Sequence, residues 1–202
     1  MRSGRSETVA SRAVDVRMRL VIEASLPHDA PMRDPRDDIE DRRDDVPQGL
    51  YFSRRGNWFH DGDRVFHVGL SSLLNRSVTR DKDDNLIVTT GMDVLPFIAE
   101  DAPLVVRSVE QVVVDGAHSL QLKLSTGVTE PLVGAITRGE DERLRVVVDS
   151  GRFWALLARS AAQTLEPLLN DKGVVAVGEH RHPMVTATHE WAKKPTPPTT
   201  TT

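Results

Sequence analysis

The sequence predicts an α+β fold spanning residues 50–184. Three observations predict it. Short apolar runs bounded by Gly, Asn and Asp recur through the middle of the chain. Two segments there switch to helical spacing. Both ends have compositions that cannot build a core. The chain of 202 residues suits one ordinary domain or two small ones sharing an interface. Its apolar share of 39% falls below the ~45–50% usual for globular proteins, and the deficit sits at the ends.

Residues 1–46 are expected to be disordered or loosely ordered. Residues 14–22 alternate apolar and charged side chains and could form a short strand, which ends at Pro27, Pro31 and Pro35. The run 33–45 is mixed charge with one apolar residue, Ile39, too little burial to offset its ordering entropy. Its carboxylates lack the glycine turn and closing glutamate of a calcium loop. A translation start at Met18 or Met32 would exclude part of this segment, and the intact mass of the native protein decides that.

The regular signals begin at Leu50. Leu50-Tyr51-Phe52-Ser53 and Trp58-Phe59-His60 flank a turn at Gly56, and Asp61-Gly62 carries a type I′ turn signal. Phe66, Leu70, Leu73, Leu74 and Val78 then recur at helical spacing for about three turns. Residues 86–90 read as a strand. Residues 94–98 read as another broken by Pro96, which favours an edge or a bulge. Residues 104–106 and 110–114 follow, and the latter pair with 120–124 as a hairpin turning at Gly116. Residues 143–148 give one more strand. Asp149 or Ser150 is expected to cap a helix over 151–166, with Phe153, Leu157, Ala161, Leu165 and Leu168 on one face and Pro167 ending it. Residues 174–177 and 184–185 form a last short pair, and the Pro/Thr tail of 189–202 is expected to be solvated.

Composition excludes several function classes. Without cysteine there is no disulfide framework and no thiolate metal or redox site. A net charge of −4, with basic and acidic residues interleaved, argues against nucleic acid as a partner. No run approaches the ~20 apolar residues that span a bilayer, so no membrane association is expected. Arg12, Asp15, Arg17 and Arg19 interrupt any signal-peptide core, which makes the cytoplasm the expected location. No phosphate loop, dinucleotide fingerprint, nucleophile elbow or paired-histidine zinc motif occurs, and no cofactor is expected.

Gly56-x-Trp58-Phe59-His60-x-Gly62, Val88-Thr89-Thr90 and the stretch Ala99-Glu100-Asp101-Ala102-Pro103-Leu104-Val105-Val106, in that order, resemble the bacterial domain-of-unknown-function family 1285. The resemblance covers about two thirds of the chain. It implies two small roll-like subdomains of antiparallel strands with two main helices, here placed at 47–103 and 104–188. Ala99 stands where the family usually has valine, and Leu104 where phenylalanine is common. The family has no established activity, so the resemblance carries no catalytic residue over.

Three constellations are candidates for chemistry. His60 beside Asp61 and Gly62 can act as a base or ligand, because histidine titrates near neutrality; a solvent-facing or carboxylate-paired histidine is the plainer reading. Glu100 and Asp101 precede Pro103: in a cleft, one carboxyl could be pushed up to serve as an acid. Otherwise Asp101 accepts backbone amides in a turn, the reading the residues favour. His180 and His182 flank Arg181 and project from one face of an extended chain, which can seed a zinc site if Glu179 or a distant carboxylate supplies a third ligand; two ligands alone hold zinc poorly and Arg181 adds positive charge, so no metal site is assigned. Ser71-Ser72 lie within a helix, and Trp58, Phe153 and Trp154 are expected core. The leading functional expectation is a small-ligand-binding or regulatory module with its site between the subdomains, using His60, Glu100 and Asp101. A small hydrolase or metal-dependent enzyme using His60 or His180/His182 with Glu100/Asp101 is the second reading. A structural protein that homodimerises through a strand edge is the third.

Overall fold

The computed structural model describes residues 47–195 apart from 92 and 115; the segment 1–46 and residues 196–202 lie outside the described residues. In the first half, β1 (Leu50–Phe52), β2 (Trp58–His60) and β3 (Asp63–Arg64) form two successive hairpins, as the sequence predicts. The second turn is made by Asp61 and Gly62 with φ of 50° and 88°, the two left-handed residues a type I′ turn requires. Helix α1 (Val68–Arg76) follows, one residue after His67, whose Nδ1 accepts the Leu70 amide at 3.0 Å. His67, unassigned from sequence, is thus the helix cap.

Strands β4 (Val78–Arg80), β5 (Leu86–Thr90) and β6 (Asp93–Ala99) complete a six-stranded sheet of order β3-β2-β1-β6-β5-β4. Pro96 does not mark an edge. β6 runs through the middle of the sheet, pairing with β5 as far as Pro96 and with parallel β1 from Phe97 to Ala99. Proline sits where one partner hands over to the other, so its missing donor costs the ladder nothing.

The second sheet begins with β7 (Leu104–Val114) and β8 (Ala117–Leu124), a long hairpin whose register slips at Arg107, between Val106 and Ser108. The two short strands read at 104–106 and 110–114 are one. β9 (Thr129–Pro131), β10 (Ile136–Arg138), β11 (Leu144–Val148), β12 (Phe153–Leu157), β13 (Val174–Val177) and β14 (His180–Thr186) give the order β13-β14-β10-β11-β12-β7-β8-β9. Both sheets are mixed. Antiparallel pairing dominates, but β1–β6, β7–β12 and β10–β14 are parallel.

The largest departure from expectation is the second helix. Only Arg159–Leu165, here α2, is α-helical, continued by a 3-10 turn at Glu166–Leu168, and residues 153–157 form a strand buried along its whole length. Phe153-Trp154-Ala155-Leu156-Leu157 is a continuous apolar run, which periodicity alone cannot assign. Tertiary pairing decides it. β11 and β7 offer ladders on its two edges. Phe153, Ala155 and Leu157 face the main core, while Trp154 and Leu156 pack with Ala102 and Trp191 on the other side. Asp149 and Ser150, the expected cap, take φ of 50° and 53° and reverse the chain from β11 into β12.

One main core joins the sheets: Phe52, Leu74 and Val88 of the first half pack in it with Val106, Leu122 and Val146 of the second sheet. The expected tail docks in part. Arg80 donates to the Ala192 carbonyl at 2.8 Å, and the Trp191 ring lies against the Arg145 guanidinium. Trp58 is the pin of the first half. Its ring packs 4.7 Å from Phe52 and 5.0 Å from Phe97, and its indole N–H donates to the buried Asn75 side chain of α1 at 3.0 Å. Trp58→Phe keeps most of the burial but strands the Asn75 oxygen, so urea unfolding should show a loss of about 1–3 kcal/mol. A variant as stable as the parent would mean that the bond does not hold α1 to the hairpin.

Candidate functional site

Two neighbouring clefts share one arginine. Parallel β1 and β6 end side by side, so the residues just past them face each other: the Glu100 amide donates to the Phe52 carbonyl at 2.9 Å. Across that same end Arg54 donates to Glu100 twice, from its backbone amide at 3.1 Å and from Nε at 2.5 Å. Arg54 lines both clefts.

The smaller cleft, about 270 Å3, includes Glu100, Asp101, Asp141, Arg145 and Trp191 in its wall. Arg145 is its centre and is 1% exposed. Its Nε and Nη2 grip the two oxygens of Asp101 at 2.8 and 2.5 Å. Nη1 and Nη2 grip those of Asp141 at 2.9 and 2.8 Å, and Nη1 also reaches the Arg143 carbonyl at 3.1 Å. A guanidinium has five N–H donors, and this set uses all of them. The Trp191 ring lies 4.4 Å from the Arg145 guanidinium carbon and packs edge-on to Trp154 at 5.1 Å. Gly139 makes room for this: a β-carbon there would collide with the Arg145 Nη1.

The electrostatics follow from these contacts. Burial disfavours a charged Arg145, but hydrogen bonds and charge from Asp101 and Asp141 outweigh it and hold its pKa above the ordinary arginine value. Hydrogen bonds from Arg145, against some burial, hold Asp141 below the usual aspartate range. Glu100 also departs from expectation. Partial burial would raise its pKa, but the Arg54 amide and guanidinium and the Tyr51 hydroxyl all donate to it, and it lies below the usual glutamate value. The acid imagined for a raised carboxyl is therefore not Glu100. Asp101 takes the turn role: besides Arg145, its Oδ1 accepts the Ala102 amide at 2.7 Å.

The larger cleft, about 740 Å3, lies between the β1–β2 turn and the second sheet, closed along one side by α2. Val105, Leu144, Leu156, Leu165, Leu169 and Met184 supply its apolar surface. Arg54, Arg55, Arg107, Arg138, Arg143 and Arg159 stand around it, offset by Glu142 and Glu166. Sequence reading missed this cleft. Apart from the Arg54-Arg55 pair, its arginines are spread along the chain, and only the sheets gather them.

His60 lines neither cleft. It sits on β2, separated from β6 by β1, and its Nδ1 is 3.6 Å from Asp61. The structure brings Glu100 and Asp101 together and leaves His60 elsewhere. His180 and His182 do share a face, with ring centroids 6.3 Å apart and planes 18° apart. His182 is buried with Nδ1 3.0 Å from the Gly134 carbonyl oxygen. Among the described residues no three His, Cys, Asp or Glu side chains are grouped to hold a metal ion, and no helix is long and apolar enough to cross a membrane.

The fold is shared with a DUF1285 family protein from Silicibacter pomeroyi DSS-3, at a TM-score of 0.55 and 19% identity over 67% of this chain and 79% of that one. A DUF1285 family protein from Shewanella baltica OS155 aligns at a TM-score of 0.46 and 18% identity, over 60% and 92% of the two chains. No family model and no curated protein matches the sequence. The first likeness supports the fold resemblance read from Gly56, Trp58 and residues 99–106. Residue roles rest on this chain alone.

Two measurements check the site. Arg145→Met should cost about 3–5 kcal/mol in urea unfolding, because it leaves the buried Asp101 carboxylate unpaired, and Arg145→Met with Asp101→Leu should recover part of the loss. Equal stability of the single variant and the parent would remove Arg145 from its structural role. For Glu100 the folded pKa is depressed, so its contribution is complete above the unfolded value of about 4.3 and is lost as pH falls through the lower folded value. The stability gap between the parent and Glu100→Gln should therefore narrow as pH is lowered across that interval, and a gap that widens would contradict the assignment.

Proposed function

We propose that this protein is a small-ligand-binding module whose site is the arginine-bordered cleft between the β1–β2 turn and the second sheet. The supporting observation is the cleft itself. Its volume of about 740 Å3 falls in the ~300–1,000 Å3 range of small-molecule sites. It combines an apolar surface with a few directed polar groups, the usual pattern for such sites. Elements of both sheets line it, since Arg54 and Arg55 come from the first and Val105, Leu144 and Leu156 from the second. A ligand touching both would tie the β1–β2 turn to the second sheet, which suits a regulatory role.

Glu100 enters this reading as a positioning residue, because it holds the Arg54 side chain where the two clefts meet. Asp101 acts one step further back through Arg145. Both carboxylates are committed to arginines, which favours binding over acid–base chemistry at this place. His60 plays no part in the reading.

The test is a melting-temperature screen of a metabolite panel against the full chain and two variants that fill the cleft, Ala162→Trp and Leu169→Trp. A ligand at a hundred times its Kd adds about 2.7 kcal/mol, enough to raise the melting temperature by several degrees. At least one compound should raise the parent's melting temperature and leave both variants unmoved. Shifts that persist in both variants would place binding elsewhere, and a panel without any shift would count against a binding module.

A further inference from the structure

We infer that the ligand of the larger cleft is an amphipathic anion, a single aliphatic chain ending in a carboxylate or phosphate. The inference rests on the ligand-binding reading above and specifies its chemistry. The chain carries a net charge of −4, yet six arginines meet two glutamates around this one cleft. Charge of that sign gathered over an apolar surface focuses a field on an anion.

The arginines are not equivalent. Arg54 is committed to Glu100, Arg138 lies 3.4 Å from Glu142, and Arg143 lies 3.8 Å from Asp141. Arg107 and Arg159 are exposed and make no ion pair among the described residues. Their donors remain for a ligand. Both belong to one wall, because Ser160 next to Arg159 donates its hydroxyl to the Arg107 carbonyl at 3.4 Å. The Arg107 guanidinium also lies against the β1–β2 turn: a β-carbon on Gly56 would stand 3.5 Å from its Nη2. Forked guanidinium donors match the paired oxygens of a carboxylate or a phosphate, the chemistry the two headgroups share.

The apolar part selects the tail. Leu144, Leu165 and Met184 are typical of it, and no aromatic ring occurs among the described lining residues. A flat nucleobase or other aromatic ligand would find no ring to stack on. Flexible aliphatic and thioether side chains instead conform to a flexible chain. Met184 is held in place, since its sulfur accepts from Arg138 at 3.0 Å.

The experiment is calorimetric titration of the full chain with dodecanoate, dodecyl phosphate, dodecanol and inorganic phosphate, repeated with Arg107→Glu/Arg159→Glu and with the milder Arg107→Gln/Arg159→Gln. At least one of the two anionic chains should bind tenfold or more tightly than dodecanol or inorganic phosphate. That affinity should fall at least tenfold in the Glu pair and by less in the Gln pair, with melting temperatures near the parent's. Whichever anionic chain binds better identifies the headgroup. Dodecanol binding as tightly as dodecanoate would overturn the inference and leave the binding module standing. So would a failure of every chain to bind while a panel compound gives a shift abolished by Ala162→Trp. Binding only to phosphatidylglycerol vesicles, with no monomeric probe bound, would overturn it in favour of a membrane surface. If no probe and no panel compound binds, the inference and the binding reading fall together.

Discussion

The second half of the molecule is organised around one buried cation. Arg145 is almost wholly removed from water, and a charge there is tolerated only because every donor it carries is met. The partners come from separate places: Asp101 from the turn that leaves the first sheet, Asp141 and the Arg143 carbonyl from the β10–β11 turn, and the Trp191 ring from the C-terminal segment. A single side chain thereby ties together the link between sheets, the middle of the second sheet and the end of the described chain. The cost of burying the charge and the loss on removing one partner are two sides of the same desolvation term.

That arrangement leaves the two clefts with different electrostatics. With Asp101 and Asp141 committed to Arg145, and Glu100 committed to Arg54, the smaller cleft has charged walls whose groups already satisfy one another. The larger cleft differs. Its arginines outnumber its carboxylates and stand over an aliphatic surface, so it has attraction left for an outside partner. Arg54 belongs to both, and Glu100 fixes its orientation. The charged residues thus separate into those whose donors are already used within the fold and those, such as Arg107 and Arg159, on which the proposed binding reading rests.

The opening hairpins were readable from sequence because their determinants are local. Asp61-Gly62 takes two left-handed conformations that few residue pairs accept, and Leu50-Tyr51-Phe52 and Trp58-Phe59 are short apolar runs flanking the turn at Gly56. The α1 pattern was readable in part: Leu70 and Leu74 are buried on one face, whereas Leu73 is exposed, Phe66 precedes the helix and Val78 begins β4. Residues 153–157 were not. Their five apolar side chains fit a buried helix face or a buried strand equally, and the outcome depended on whether neighbours offered hydrogen-bonding edges. Pro96 misled in a related way, since its missing amide matters only if a partner is present on that side, and the partner changes there.

Local signals alone carried the α+β class, the turns at Gly56 and Asp61-Gly62, the core aromatics and the placement of Glu100-Asp101 in a turn before Pro103, because each depends on residues close in the chain. Tertiary structure alone decided the β12 strand, the burial of Arg145 and the meeting of Arg54, Arg107, Arg143 and Arg159 at one cleft. Those features depend on residues far apart in sequence, held beside one another by sheet pairing. Spacing along a chain encodes periodicity and turn geometry; it carries no record of which distant strand edges will join.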